Sequence, residues 1–402
     1  MGTEPQQPLW SRNFIFICLI GLLVSVGMQV LNSTMTLYAD SLGASATFSG
    51  VMGTLFAIFA GIFRMISGRV SDVRGRRPTM MIGAVVFSLS LLAFGMFAVL
   101  PALLVFRSIQ AVGFSAISTA SATAAADVTP RKRLGEGLGF FSLGQSLAMA
   151  IGPAFGLAFA GRGEFKTLYL ITAGLVAFCF LIALSLNYEK KTTRARLDIA
   201  EQKGKPDGFK QRGIWIFLDK NALPASLTYM LVCLASGGIV TFLPLYAKGK
   251  GFTHISIFFL LQATAMFLTR LLTGRIFDRK GPIRVLIPAL ICASIAFIMI
   301  LSAQNEAVFL MAGFFYGLAF GTLQPVYNAL AMQRAPFHRR GAISATFNLS
   351  VDLGIGAGAA IWGIIIDRSG FSPMFIGSVG LMLLTALSSV VLFSKVGRKQ
   401  IS

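Results

Sequence analysis

Apolar residues run along this chain in long stretches, and the charged residues gather in the segments between them. A bilayer core of about 30 Å needs roughly 20 apolar residues, because an α-helix rises about 1.5 Å per residue. Twelve stretches reach that length: 13–36, 47–70, 79–99, 101–126, 136–160, 167–187, 222–246, 254–276, 283–303, 306–333, 341–365 and 372–394. They predict an all-α membrane protein with twelve transmembrane helices. The first stretch is too long for a signal-peptide core and no small-residue cleavage site follows it, so it is expected to remain as the first helix.

Composition agrees, with 55% hydrophobic and only 12% charged residues in 402, unlike a soluble domain of that size. The formal net charge of +20 would suggest a nucleic-acid partner in a soluble chain. Here the placement of the charges decides otherwise. With both termini on one side, alternate segments hold Arg69/Arg74/Arg76/Arg77, Arg131/Lys132/Arg133, a basic run from Lys190 to Lys220, Arg275/Arg279/Lys280/Arg284, Arg334/Arg339/Arg340 and Lys395/Arg398/Lys399. The opposite segments hold only Arg162, Lys166, Lys248, Lys250 and Arg368. Positive charge stays on the cytoplasmic side, so the termini and the central segment are expected in the cytosol. Cys18, Cys179, Cys233 and Cys292 lie inside apolar runs without CxxC spacing, which offers neither a disulfide framework nor a metal site.

The chain repeats itself. Arg64-Met-Ile-Ser-Gly68-Arg69-Val-Ser-Asp72-Val-Arg-Gly75 returns 206 residues later as Arg270-Leu-Leu-Thr-Gly274-Arg275-Ile-Phe-Asp278-Arg-Lys-Gly281, with five identities. Leu37-Tyr38-Ala39 pairs with Leu245-Tyr246-Ala247, and Gly135 with Gly341. The expected organisation is two six-helix pseudo-symmetric bundles, 1–187 and 222–402, joined by a polar cytoplasmic linker at 188–221 with one short surface helix near Arg194 to Glu201. Two duplicated halves around a cleft at the bilayer midplane are what a rocking transporter needs.

The segment Gly68-Arg69-Val70-Ser71-Asp72-Val73-Arg74-Gly75-Arg76-Arg77 resembles the loop signature between helices 2 and 3 of the major facilitator superfamily. The second copy, Gly274 to Gly281, matches it less fully, since Pro282 and Ile283 replace the closing basic pair. Two readings stand for the signature. In one, Asp72 is held by Arg69, Arg76 and a helix end as a latch on one access state, with Gly68 and Gly75 allowing close approach and a tight turn. In the other it is a plain positive anchor. Arg107-Ser-Ile-Gln110-Ala111-Val-Gly113 resembles the superfamily's Arg-x-x-Gln-Gly-x-Gly motif apart from Ala111. Gly139, Gly152-Pro153 and Gly156 resemble the Gly/Pro-rich motif of the drug/proton antiporter branch, although Ala148 and Leu157 stand where that motif has glycines. They are expected to shape the contact between the halves. The resemblance implies a bacterial cytoplasmic-membrane fold and proton-driven export, with Arg107 assisting proton transfer; without it, Arg107 would be read as snorkelling to the outer surface.

Of the fifteen acidic residues only Asp352 falls well inside an apolar helix. A carboxyl group there is costly unless protonated, hydrated or paired, so it is either the proton carrier or a static partner of a basic residue. Arg64 and Arg270, duplicated about two turns before their motif aspartates, are expected in the lower bundle as gating or substrate-contacting groups. Asp127 and Glu136 flank a basic loop and are expected to form solvated ion pairs. The polar candidates for the cleft are Asn32, Thr36, Gln145, Gln262, Gln324, Tyr327 and Asn328.

The expected function is proton-coupled secondary active export of small organic or amphipathic compounds by alternating access. The alternative is proton-coupled transport of a sugar, metabolite or metal-binding small molecule, and the remote alternative a non-transporting membrane sensor. Arginines facing the cleft would favour an anionic substrate. No P-loop, HExxH or GxSxG occurs, and His254 and His338 are isolated, so neither an enzyme nor an ATPase is expected. The expected energy source is the proton gradient, with no cofactor and no metal. The partners are the bilayer and a small-molecule substrate, and a monomer is expected because two halves complete the pathway.

Overall fold

The computed structural model describes residues 9–130, 133–186, 219–333 and 340–393. Among them the chain forms twelve α-helices: α1 (Arg12–Ser41), α2 (Ala46–Arg74), α3 (Arg76–Met96), α4 (Leu100–Val128), α5 (Leu134–Ala160), α6 (Phe165–Leu184), α7 (Leu223–Gly249), α8 (Ile255–Lys280), α9 (Ile283–Ser302), α10 (Glu306–Met332), α11 (Arg340–Ser369) and α12 (Ser372–Phe393). Polar caps start several of them. Ser11 accepts from the Phe14 amide at 3.2 Å, Ser45 from Phe48 at 3.1 Å and Asn305 from Val308 at 3.0 Å, each satisfying an amide that the first turn leaves open.

Eleven of the twelve are long and apolar enough to cross a membrane, judged on the described residues. The twelfth, α8, is apolar over the part counted among the described residues, Ile255–Arg270. The fold is an all-α membrane fold. Exposed Leu383, Leu387 and Val391 recur every fourth residue along α12, which is the stripe a lipid-facing helix presents. Most of the linker, residues 187–218, lies outside the described residues, including the surface helix expected near Arg194.

The sequence repeat is also a repeat of backbone and hydrogen bonding. Among the described residues, glycines in the left-handed region fall in three matched pairs: Gly43 with Gly251, Gly75 with Gly281 and Gly163 with Gly370. Gly75 (φ 103°) and Gly281 (φ 78°) end α2 and α8, where a Cβ would strain the turn. Tyr38 donates to the Phe94 carbonyl at 3.1 Å, tying α1 to α3, and Tyr246 donates to the Ile300 carbonyl at 2.8 Å, tying α7 to α9. Among the described residues the buried apolar side chains form two clusters, one drawn from 17–186 and one from 222–393 with Ala46 added.

Glycine sets the spacing within each half. A Cβ at Gly113 would stand 2.4 Å from the Phe87 backbone nitrogen, and one at Gly83 would stand 2.6 Å from that of Ile117, so α3 and α4 touch through their backbones. Gly113→Leu is therefore expected to cost about 1–3 kcal/mol, toward the upper end because backbone cannot move aside as a side-chain tip can. A clear fall in melting temperature in detergent checks this, and an unchanged one rejects it.

Candidate functional site

Two adjoining cavities lie between the halves, one of about 820 Å³ and one of about 370 Å³. Their walls come from α1, α2, α4 and α5 of the first half and from α7, α10 and α11 of the second. Arg64, Asp352 and Gln324 line both. The larger cavity extends to Gly68 and to Asp72, which is 68% exposed, so it opens at the end of the bundle that carries α1's start.

Asp352 lies about 18 Å along the 30-residue α11, near its middle. Its Oδ2 is 3.3 Å from Arg64 Nε of α2, so the contact joins the two halves. Both atoms are buried and neither makes a hydrogen bond. The pair is thus ionic without the alignment that makes a charge-assisted bond strong. A carboxylate held so loosely in a cavity can change partners.

Arg107 sits farther into the smaller cavity. It is 6% exposed. Nη1 donates to Gln110 Oε1 at 2.7 Å and Nη2 to Asn32 Oδ1 at 3.2 Å, while the guanidinium lies 4.4 Å above the Phe56 ring. Its Nε is buried with no acceptor. Gln110 in turn donates to Met28 Sδ at 3.3 Å.

At the opposite end the halves are sealed. The Asp367 carboxylate at the end of α11 accepts from the Ala46 amide at 2.9 Å and the Thr47 amide at 2.7 Å, capping the start of α2 where the helix dipole favours a negative charge. Lys248 of α7 pairs with Asp40 of α1 at 2.7 Å, and Thr36 donates to the Thr241 carbonyl. Small residues bring α2 and α11 together. A Cβ at Gly50 would stand 2.3 Å from the Ala359 carbonyl oxygen, and one at Gly363 would stand 2.7 Å from that of Ala46. The resulting shape is a wedge, closed at one face and hollow toward the other.

The family described as the Major Facilitator Superfamily matches residues 17–359. The chain belongs to the major facilitator superfamily. It is 25% identical over 403 residues to the multidrug resistance protein MdtG of Serratia proteamaculans (strain 568), covering 97% of this chain and 95% of that one. It is 24% identical over 395 residues to the protein of the same name from Klebsiella pneumoniae (strain 342), covering 95% and 93%. Among solved structures it resembles a POT family transporter in complex with 5-aminolevulinic acid, with a TM-score of 0.79 at 12% identity over 97% of this chain and 98% of that one. It is therefore a multi-pass inner-membrane transporter of small molecules.

The superfamily signature between α2 and α3 is placed in detail. Arg76, 5% exposed, reaches Asp72 at 2.7 Å, Asp127 at 3.0 Å and the Ser71 carbonyl at 2.7 Å, while Arg77 donates to the Ala183 and Leu184 carbonyls at the end of α6. Asp127 corrects one expectation: it is 14% exposed and locked to a buried guanidinium, because α4 runs on to Val128 and carries it against α3. Glu136 does pair with Arg133 in solvent at 2.7 Å. Gly68 borders the cavity, and a Cβ there or at Gly139 would meet nothing within 4 Å, so neither is a point of close approach. In the second copy Gly281 makes its turn, whereas the side chain of Asp278 and the surroundings of Gly274 lie outside the described residues.

The α5 motif also packs differently from expectation. A Cβ at Gly152 would meet Gln29 Cβ at 2.5 Å and one at Gly156 would meet Thr34 Cγ2 at 2.9 Å, so the face around Pro153 rests on α1 of its own half. α5 also packs along α8 of the other half: Ser146 accepts from Arg270 Nη1, and Leu157 packs against the second half's core.

Of the cleft candidates, Asn32, Thr36, Arg64, Gln145 and Gln324 line the cavities. Tyr327 is fully buried, sharing a 2.6 Å hydrogen bond with Ser389 and packing on Tyr229; Gln262 is 7% exposed with its carbonyl against Gly317; and neither they, Asn328 nor Arg270 line either cavity. Arg107 does not snorkel, since its donors are used inside the bundle. Missed from sequence were Phe56 and Phe114 of the walls and the Asp367 cap.

Proposed function

We propose that this chain exports small organic compounds in exchange for protons, with Asp352 carrying the proton and the Arg64–Asp352 contact reporting its charge to both halves. The observation that carries this reading is the position of the contact: an ion pair between α2 and α11, lining both cavities and lacking a hydrogen bond. Protonation of Asp352 removes its attraction for Arg64, and with it one tie between the halves. The excess of Lys and Arg at the hollow end makes that end cytoplasmic, so the described arrangement takes compounds from the cytosol. The sealed end is then the one that opens to release them and to admit the proton.

The curated relatives named for multidrug resistance support export as the direction. The cavity supports it too, with Met28, Met149 and Phe114 offering adaptable apolar walls beside a few polar groups. The test uses purified protein in proteoliposomes and a panel of organic anions, cations and neutral compounds. At least one compound should move against its gradient when a pH gradient is imposed, and a protonophore should abolish this. Movement that ignores the pH gradient for every compound moved would overturn proton coupling.

A further inference from the structure

Once the ion pairs around the cavities are assigned, one positive charge is left over. Arg64 faces Asp352, and Asp72 at the cavity mouth is held by Arg76. Arg107 has only neutral acceptors, the amide oxygens of Asn32 and Gln110, and among the described residues no carboxylate pairs with it. It is nonetheless 94% buried, since 6% is exposed, and its Nε–H has no acceptor at all. An uncompensated buried cation is expensive, and neutral amides offset that cost only in part.

We propose that Arg107 anchors an anion subsite in the smaller cavity, and that the compounds this transporter selects are organic monoanions with a carboxylate on an apolar, aromatic body. The inference rests on the reading of the cleft as the transport site. A guanidinium presents a planar fork that matches a carboxylate through two parallel N–H bonds, which no single amide can do. The walls beside it suit the rest of such a molecule: Phe56 and Phe114 offer ring faces, and Met28, Met35 and Met52 adapt to irregular outlines. At about 370 Å³ the cavity has the size of a small ligand site. Phe56, the ring under Arg107, lies eight residues before Arg64 on α2, or about 12 Å along the axis. The bound anion and the Asp352 carboxylate therefore sit apart, where their mutual repulsion is weak, so exchange of the anion for the proton runs through the movement of the halves.

The experiment uses three compounds on one carbon skeleton: 3-phenylpropanoate, 3-phenylpropan-1-ol and 3-phenylpropylammonium. Binding to purified full-length protein is measured by calorimetry, and flux in proteoliposomes is measured in parallel. The acid should bind about tenfold or more tightly than either partner, which corresponds to about 1.4 kcal/mol. Arg107→Gln should erase that preference while moving the alcohol's affinity by less than about threefold, and Arg107→Lys should restore part of it. The ratio of acid to alcohol within one variant separates anion recognition from a general loss of fold. Tighter binding of the ammonium compound, an acid preference that survives Arg107→Gln, or no binding of the acid at millimolar concentration would each overturn the proposal. Flux of the ammonium compound driven by the pH gradient would sink the anion subsite and leave proton-coupled export standing. Binding of the acid without any pH-driven flux would do the reverse.

Discussion

An Asp352→Asn variant is expected to bind its compounds yet build up none of them against a gradient. One pH unit across the membrane is worth about 1.4 kcal/mol per proton, enough for about tenfold accumulation of an exchanged compound. Asparagine keeps the size of the side chain and cannot take up the proton. The accumulation ratio should then fall to one at any imposed pH gradient, while exchange of labelled for unlabelled compound continues. Arg64→Gln makes the needed contrast, because it breaks the same 3.3 Å contact and leaves the carboxyl group in place. That variant should still respond to the pH gradient, at a reduced rate. Undiminished accumulation by Asp352→Asn would remove Asp352 from the coupling scheme and leave its contact with Arg64 as a structural tie.

Parts of this arrangement can be read directly from the residues. The motif that begins at Arg64 and returns at Arg270 becomes two equivalent glycine turns, at Gly75 and Gly281, because a backbone requirement at a fixed distance from a helix end is a local matter. Tyr38 and Tyr246 likewise make the same bond in each half, since both sit at the same point of the same helix plan. Asp352 stands out because a carboxylate inside an apolar run has no ordinary reason to be there.

Other parts are hidden for equally physical reasons. In a soluble helix the polar face shows which side meets water, but in a membrane helix both the lipid side and the packed side are apolar, so the pattern does not say which face looks into the cleft. Tyr327 and Gln324 are three residues apart on α10, yet Tyr327 is buried against Tyr229 and Gln324 lines both cavities. Phe56 and Phe114 were two phenylalanines among 36. Contacts between the halves join residues 124 to 321 positions apart, as with Ser146 and Arg270 or Ala46 and Asp367, and no spacing rule reaches that far.

A Gly50→Leu variant should fold and yet fail to transport, and its contrast with Gly113→Leu shows why. Both glycines hold two helices at backbone contact: a Cβ at Gly113 meets the Phe87 nitrogen at 2.4 Å, and one at Gly50 meets the Ala359 carbonyl oxygen at 2.3 Å. The α3–α4 contact lies within one half and persists through any movement of one half against the other, so leucine there harms every state. The α2–α11 contact lies between halves, on the face that must part when the sealed end opens. Leucine at Gly50 therefore penalises only the described state, by about 1–3 kcal/mol for an overpacked site, which shifts the equilibrium about five- to 150-fold toward the open-outward arrangement. A thiol reagent that cannot cross the membrane measures this, applied from the periplasmic side to a cysteine placed at Thr36, where the side chain now bonds across to α7. Labelling should quicken in Gly50→Leu, with a melting temperature close to wild type and with compound uptake into the cleft from the cytosol reduced. Slow labelling together with a lowered melting temperature would mean that α2 and α11 do not separate, and that the halves move about some other contact.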